Sequence, residues 1–276
     1  MPVIPIGQPE DPRLDDYRNV SDGELLRRSN LFVAEGRLVV RRLLSSAHHP
    51  VSLLLNDASF KSFEVEFRDV FEKIPVYVAS TAMLANIVGY NVHRGCLALA
   101  RRPAGANVAD VVRNTSLLLI LEGVTDADNV GSAFRNAAAL GAGGVLLHRC
   151  CDPLYRKAIR TSMGHTLLVP PALVDDLGGE VAALKAAGFG VMARTPRADA
   201  VPLADFARSR PRGGRIALLA GSEGEGLSAE AEAAADACVR IPMHRGVDSL
   251  NVSTAIAIAL YELGEKGTGS LFRAID

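Results

Sequence analysis

Short apolar runs alternate with longer segments in which apolar residues recur every three or four positions, and this rhythm divides the chain in two. In the first part, Ser21 or Asp22 is placed to cap a helix carrying Leu25 and Leu26. FVAEGRLVVRRLL at 32–44 reads as a short apolar start followed by a helix. Leu38, Val39, Leu43 and Leu44 form its expected buried stripe, with Arg37, Arg41 and Arg42 mainly outside it. VSLLLN at 51–56 and IPVYVA at 74–79 predict strands, with a polar, aromatic helical segment between them. TAMLANIVG at 81–89 predicts a short helix before the strand CLALA at 96–100. A small α/β domain over 21–100 therefore follows a polar segment, 1–20. RRPAGANVAD at 101–110 has the proline and small residues of a connection, which places a linker over 101–115.

From 116 to 276 the alternation is plainer. Strands are expected at 116–121, 143–148, 165–170 (HTLLVP), 190–195, 215–221 and 238–242, and helices at 129–140, 153–161, 177–187 and from 249 to about 264. Apolar strands separated by amphipathic helices imply a largely parallel sheet covered on both faces. Its chemistry should collect beyond the strand C-termini, where loops and helix N-termini converge.

Composition narrows the class. Hydrophobic residues make up 49% and charged residues 22%, which is not a disordered chain, and the longest apolar runs are far too short to cross a bilayer. The opening residues lack the basic start and apolar core of a secretion signal. Four cysteines without CxxC spacing fit a reducing cytoplasm better than a disulfide framework or zinc knuckle. Thirty basic residues stand against thirty-one acidic ones, so any nucleic-acid surface must be a local basic face. His48, His49, His93, His148, His165 and His244 form no recognisable metal-ligand pattern.

Three loops carry residues that a core does not require. In EGVTDADNVGSAFRNAAALGAGG, 122–144, Asn129 falls near a helix start and Arg135 on a different sector from the sheet-facing Phe134, Ala137 and Leu140. That arginine could grip phosphate or organise a nucleophile, or form a surface pair with Asp126 or Asp128. In LLAGSEGEGLS, 218–228, Gly221, Gly224 and Gly226 permit a tight loop after a strand. It is not a Walker loop, since Leu227 follows Gly226 where lysine is needed, and the dinucleotide fingerprint is missing. Glu223 there disfavours a bound phosphate and favours a hydrogen-bond-donating or cationic partner. In RIPMHRGVDSLNVSTAIAIALYEL, 240–263, Ser249 is placed to cap a helix whose apolar stripe includes Val252, Ile256, Leu260 and Leu263. Leu250 and Asn251 fall in its first turn.

ADNVGSAFRNAAALG at 127–141, LLAGSEGEGLS at 218–228 and IPMHRGVDSLNVSTAIAIAL at 241–260 resemble, in order, the three motifs of the SpoU-type (TrmH-like) RNA ribose 2′-O-methyltransferases of the SPOUT superfamily. The resemblance covers essentially all of 116–264. CDPLYRKAIRTSMGH at 151–165 adds an R-x-S-x-G pattern on Arg160, Ser162 and Gly164, and 21–100, opening on FVAEG at 32–36, resembles the small substrate-binding domain that precedes many such catalytic domains.

The resemblance implies a deep trefoil knot, in which the chain around 218–228 and 242–250 threads to form an S-adenosylmethionine pocket, an exception to the rule that chains avoid knots. It places Leu219, Ala220, Gly221, Ile241, Met243 and Leu250 around that cofactor. It nominates Arg135 as the residue beside the ribose hydroxyl or its phosphate, with Asn129, Glu223, Ser249 and Asn251 as the other polar candidates. Arginine stays charged near neutral pH, which favours phosphate positioning and stabilisation of negative charge over general-base action. The family's members are homodimers, and 249–264 is the expected interface. Structured RNA is the implied partner, ribosomal RNA first because of the extra N-terminal domain and transfer RNA second. RNA contacts are expected from Arg27, Arg28, Arg37, Arg41, Arg42, Arg156, Lys157 and Arg160, with further clusters at Arg101, Arg102 and Arg149. Aromatic content of 5% without tryptophan points to shape recognition rather than base stacking. Competing readings are a Rossmann-like oxidoreductase, for which the fingerprint is missing, and an RNA-binding protein of the same fold without transfer activity.

Overall fold

Seven parallel strands form the larger of two sheets, and their common direction decides where loops can converge. The computed structural model describes residues 3–18, 21–92, 95–113, 115–209, 213–245 and 247–264. His93, Gly246 in the third motif, Asn114 in the linker, and 265–276 at the end of the expected catalytic domain lie outside the described residues. The chain divides into one unit of 1–104 with 153–168, and another of 105–152 with 169–276.

The first unit contains β1 (Val3–Pro5), α1 (Asp22–Ser29), β2 (Leu31–Glu35), α2 (Arg37–Leu44), β3 (Pro50–Leu55), α3 (Asp57–Phe63), α4 (Arg68–Phe71), β4 (Val76–Val78), α5 (Thr81–Val88) and β5 (Cys96–Arg101). Its sheet runs β1-β4-β3-β5-β2, parallel at β1-β4 and β4-β3 and antiparallel at β3-β5 and β5-β2. Ser21 caps α1 by accepting the Glu24 amide at 3.3 Å, and Asn30 ends it in the left-handed conformation at φ 52°. All five residues of β2 are buried, so its sequence is an unbroken run instead of an alternation.

Two expectations shift here. On α2 the buried residues are Val39, Val40 and Leu43, while Leu38 is 40% exposed, a rotation of the apolar stripe by one position. Within the segment expected to be polar, residues 3–18 join the first unit. β1 pairs with β4, and Leu14 and Tyr17 of a 3-10 turn at Pro12–Tyr17 are buried, with the Tyr17 hydroxyl 2.8 Å from Ser52 Oγ.

The second unit holds α6 (Val108–Arg113), β6 (Leu117–Glu122), α7 (Ala127–Leu140) and β7 (Val145–His148). The chain then contributes Pro153–Leu168, with α8 (Arg156–Thr161), to the first unit. It returns as β8 (Pro171–Leu173), α9 (Leu177–Ala186), β9 (Phe189–Arg194), β10 (Val201–Pro202), α10 (Leu203–Ser209), β11 (Arg215–Gly221), α11 (Ala229–Ala234), β12 (Ala237–Arg240) and α12 (Val252–Leu263). HTLLVP is not a strand: His165–Leu167 is a 3-10 turn, and pairing starts at Pro171. The reason lies in the first unit, where Leu154, Ile159 and Leu167 pack with Phe32, Val39 and Leu43, while Leu168 is exposed and Val169 joins the core of the second unit.

The order β10-β12-β9-β11-β6-β7-β8 is parallel throughout. Leu117, Leu119 and Leu121 of β6 face α7 and α12 through Phe134, Ala137, Ile256 and Leu260. Leu118 and Ile120 face the opposite side, with Val181 and Leu184 of α9 and Ala231 of α11. A sheet buried on both faces explains why its strands read as continuous apolar runs.

Candidate active site

At the C-terminal edge of this sheet, β11 ends at Gly221 and the chain turns back on itself. Ser222 bridges to Gly226, and Gly224 and Gly226 take φ of 96° and 74°, which only glycine adopts without strain. A Cβ at Gly221 would lie 2.1 Å from the Gly226 carbonyl oxygen, so the strand end and the returning loop touch backbone to backbone. This closeness sets the loop beside the start of α12.

Asn251 is the N-cap of α12, in place of the expected Ser249. Its Oδ1 accepts the amides of Ser253 at 3.0 Å and Thr254 at 3.3 Å, and the Ser253 hydroxyl at 2.5 Å. Its Nδ2 donates to Glu223 Oε1 at 2.5 Å and to Asn129 Oδ1 at 2.9 Å. Glu223 Oε1 also accepts the Val252 amide at 3.2 Å. The carboxylate thus meets hydrogen-bond donors, as its chemistry required. Asp126 caps α7 through the amides of Asp128 and Asn129, which fixes Asn129 at the head of that helix. Because Asn129 Oδ1 faces Asn251, its Nδ2 points away from the network and has no partner among the described residues. Asn136, two turns beyond Asn129 on α7, donates to the Ser253 carbonyl at 2.8 Å and ties α7 to α12.

The structure joins three of the five catalytic candidates, Asn129, Glu223 and Asn251, and leaves Arg135 and Ser249 outside their hydrogen bonds. Arg135 is exposed on α7 and, among the described residues, pairs with neither Asp126 nor Asp128 nor any other group. It is a charge held out to solvent. Ser249 is exposed ahead of α12.

Ile241, Met243 and Leu250 line one cleft together with Arg194, Thr195, Pro196 and Ala255. Leu219 and Ala220 do not share it through their side chains, which are buried on opposite faces of the sheet. Gly221, at the end of the same strand, does not line it either. The cleft is small, about 10 Å³, with Arg194 and Thr195 set among apolar side chains. Arg194 and Thr195 went unnoticed in the sequence, where the strand at 190–195 was legible but its place between β11 and β12 was not. A second cleft of about 280 Å³ at the same edge is lined by four carboxylates, Glu122, Asp175, Asp176 and Glu230, together with His148 and Arg149.

The basic candidates lie in the first unit. Arg28 is paired with Asp16 at 2.7 Å and Arg41 with Glu66 at 2.8 Å, with the Arg41 guanidinium over the Phe63 ring. Arg156 is half-buried, its amide on Asp22 and its guanidinium on the Tyr90 hydroxyl at 2.7 Å; that hydroxyl donates to the buried Glu35. Arg42 donates to the Met163 carbonyl, Arg37 to Ser59 at 3.0 Å and Arg27 to the Gly23 carbonyl at 3.3 Å. Lys157 and Arg160 are exposed on α8. Arg156 is thus built into the unit more than it is presented.

Among the described residues, no three His, Cys, Asp or Glu side chains are grouped to hold a metal, and no helix is long and apolar enough to cross a membrane.

Comparison with known proteins agrees with this architecture. The chain is 43% identical over 270 residues to an uncharacterized tRNA/rRNA methyltransferase of Mycobacterium bovis, covering 96% of this chain and 93% of that one. It is 35% identical over 176 residues to the 23S rRNA (guanosine-2′-O-)-methyltransferase of Bordetella pertussis, covering 62% and 69%. The crystal structure of an AdoMet-bound rRNA methyltransferase from Sinorhizobium meliloti superposes with a TM-score of 0.80 at 24% identity over 95% of this chain and 97% of that one, a likeness of fold. The helix-flanked parallel sheet is the α/β SPOUT-type architecture, consistent with a knotted SpoU domain. The model of the SpoU rRNA methylase family matches residues 116–261, and the chain belongs to that family.

Proposed function

We propose that the protein transfers the methyl group of S-adenosylmethionine to a ribose 2′-hydroxyl of structured RNA, ribosomal RNA before transfer RNA. The observation that carries this reading is the Asn129–Asn251–Glu223 chain of hydrogen bonds at the head of α12, where Leu250 and Ala255 line the neighbouring cleft, with Arg135 on the same helix as Asn129 and without a partner among the described residues. When bound, S-adenosylmethionine supplies a methyl group already activated by its positively charged sulfur. The ribose hydroxyl is a weak nucleophile, so the protein's task is to orient it and to hold the adjacent phosphate. Arg135 remains charged and serves the phosphate. The outward Nδ2 of Asn129 donates to an oxygen of the target nucleotide, and Asn251 and Glu223 keep that amide from rotating. Glu223 Oε1 is already committed to two N–H donors, which makes Glu223 a positioning residue.

The 23S ribosomal RNA activity in the name of the Bordetella relative supports ribosomal RNA as the first substrate class. RNA binding falls to 21–100, through its arginines. The active form is a homodimer joined through α12, whose outward face carries Ile258 at 36% and Tyr261 at 58% exposure one turn apart. Cytoplasmic residence fits four cysteines that are all free. The test offers radiolabelled S-adenosylmethionine with separate ribosomal and transfer RNA pools lacking the modification, followed by nuclease digestion. Label in a 2′-O-methyl nucleotide of ribosomal RNA, lost in R135A, is the expected result. An unaltered rate and RNA affinity in R135A refutes the central assignment.

A further inference from the structure

Arg194 ends β9, in register with Ala220 of β11 on one side and Val239 of β12 on the other. It lines the cleft formed with Ile241, Met243 and Leu250. Its Nε is buried without a hydrogen-bond partner, and no carboxylate pairs with its guanidinium among the described residues. Arg197, three positions on, shows the ordinary alternative, bound to Asp199 and Glu232 at 2.6 and 3.0 Å. Burial with no compensating charge pulls the Arg194 guanidinium down from its usual range. A half-buried cation without a counterion costs free energy in the ligand-free chain and recovers it when an anion arrives.

We propose that Arg194 is a cofactor-binding residue whose guanidinium takes the carboxylate on the amino-acid half of S-adenosylmethionine. This rests on the reading that the cleft holds that molecule. The carboxylate is the one anionic group the molecule offers. Its sulfonium and ammonium groups are cations that a guanidinium repels, and its adenine and ribose are neutral. A planar fork of N–H donors matches a carboxylate in two parallel bonds, which a lysine cannot reproduce.

The test is titration calorimetry of the full chain with S-adenosylhomocysteine and with 5′-methylthioadenosine, which keeps the adenosine and thioether but lacks the amino acid. Wild type binds both, S-adenosylhomocysteine more tightly. R194M weakens S-adenosylhomocysteine by about tenfold or more and leaves 5′-methylthioadenosine within about twofold, with R194K between the two proteins. Ligand-free R194M unfolds at the wild-type temperature or above it, because removing an uncompensated charge relieves the fold. Unchanged S-adenosylhomocysteine affinity in R194M overturns the proposal. So does equal weakening of both ligands, or a lowered unfolding temperature, which assigns Arg194 to the adenosine half or to the fold. Wild type binding neither ligand removes the cofactor reading itself, a result separate from the other three.

Discussion

Replacing Asn251 separates a helix cap from a catalytic scaffold, because one side chain does both. Its Oδ1 caps α12, an interaction worth about 1 kcal/mol. Its Nδ2 adds a bond to the Glu223 carboxylate, about 1 kcal/mol at an exposed site, and one to Asn129, about 0.5 kcal/mol. These share one residue and do not sum, so N251A should cost about 2 kcal/mol. N251S keeps a capping oxygen and should cost about 1 kcal/mol. N251D keeps the cap but faces Glu223 with a second carboxylate, which adds about 1 kcal/mol of repulsion at 4 Å in water. Like charges raise the pair's acid pKa above the ordinary carboxylate value, so that repulsion is present at neutral pH and vanishes as pH falls through the raised value. Urea unfolding across pH measures these three costs. Methyl transfer at saturating cofactor should fall about tenfold or more in all three variants, including the nearly stable N251S, because Asn129 loses its anchor. Wild-type transfer by N251S would refute the reasoning, since the cap would then be the whole role of Asn251.

Two other perturbations follow from close geometry. In G221A the new methyl group meets the Gly226 carbonyl oxygen at 2.1 Å and the Leu227 nitrogen at 2.4 Å, so the loop must move. Stability should fall by about 1–3 kcal/mol and S-adenosylhomocysteine affinity with it, read by urea unfolding and calorimetry; retention of both would refute the backbone contact. Asp11 is partly buried, and its hydrogen bonds with the Arg13 side chain and amide hold its carboxyl at about 2. A depressed carboxyl stabilises the fold above its unfolded value and loses that contribution as pH falls toward 2. In an NMR titration of R13A, Asp11 should move up toward the ordinary carboxylate range, and an identical titration in both proteins would deny the pairing.

The parallel sheet was legible because its central strands β9, β11, β6 and β7 are buried on both faces and therefore read as short apolar runs between helices, as LLLIL at 117–121 does. The order of those strands was not. Nothing local in VMART says that Arg194 stands between Ala220 and Val239, and a cleft residue escaped notice for that reason. HTLLVP misled for the opposite reason, since Leu167 serves the first unit's core, Leu168 is exposed and Val169 serves the second unit's core. At the candidate site, the residue types were readable and the pairings only in part. Glu223 in a glycine loop called for a donor, and Asn251 supplies it, yet Ser249 looked like the better cap because serine and asparagine serve that position equally well. Tertiary contact between α7 and α12 broke the tie.

A cluster of arginines in the sequence is also not a cluster of available charge. Arg28, Arg41 and Arg156 each have a carboxylate of their own unit nearby, Asp16, Glu66 and Asp22, and a phosphate must compete with it. Arg27 and Arg37 touch neutral oxygens and keep their charge, and Arg160 is held out to solvent. On a chain of net charge -1, that leaves a few cations to meet a polyanion. Each phosphate contact contributes roughly 0.7 to 0.9 to the slope of log affinity against log salt, so a small set of contacts gives a shallow dependence and weak binding to arbitrary RNA. Selectivity then has to come from the fit of a folded RNA to the arrangement of those few charges. By this argument a near-neutral protein of this family is expected to bind a structured RNA in preference to an arbitrary one.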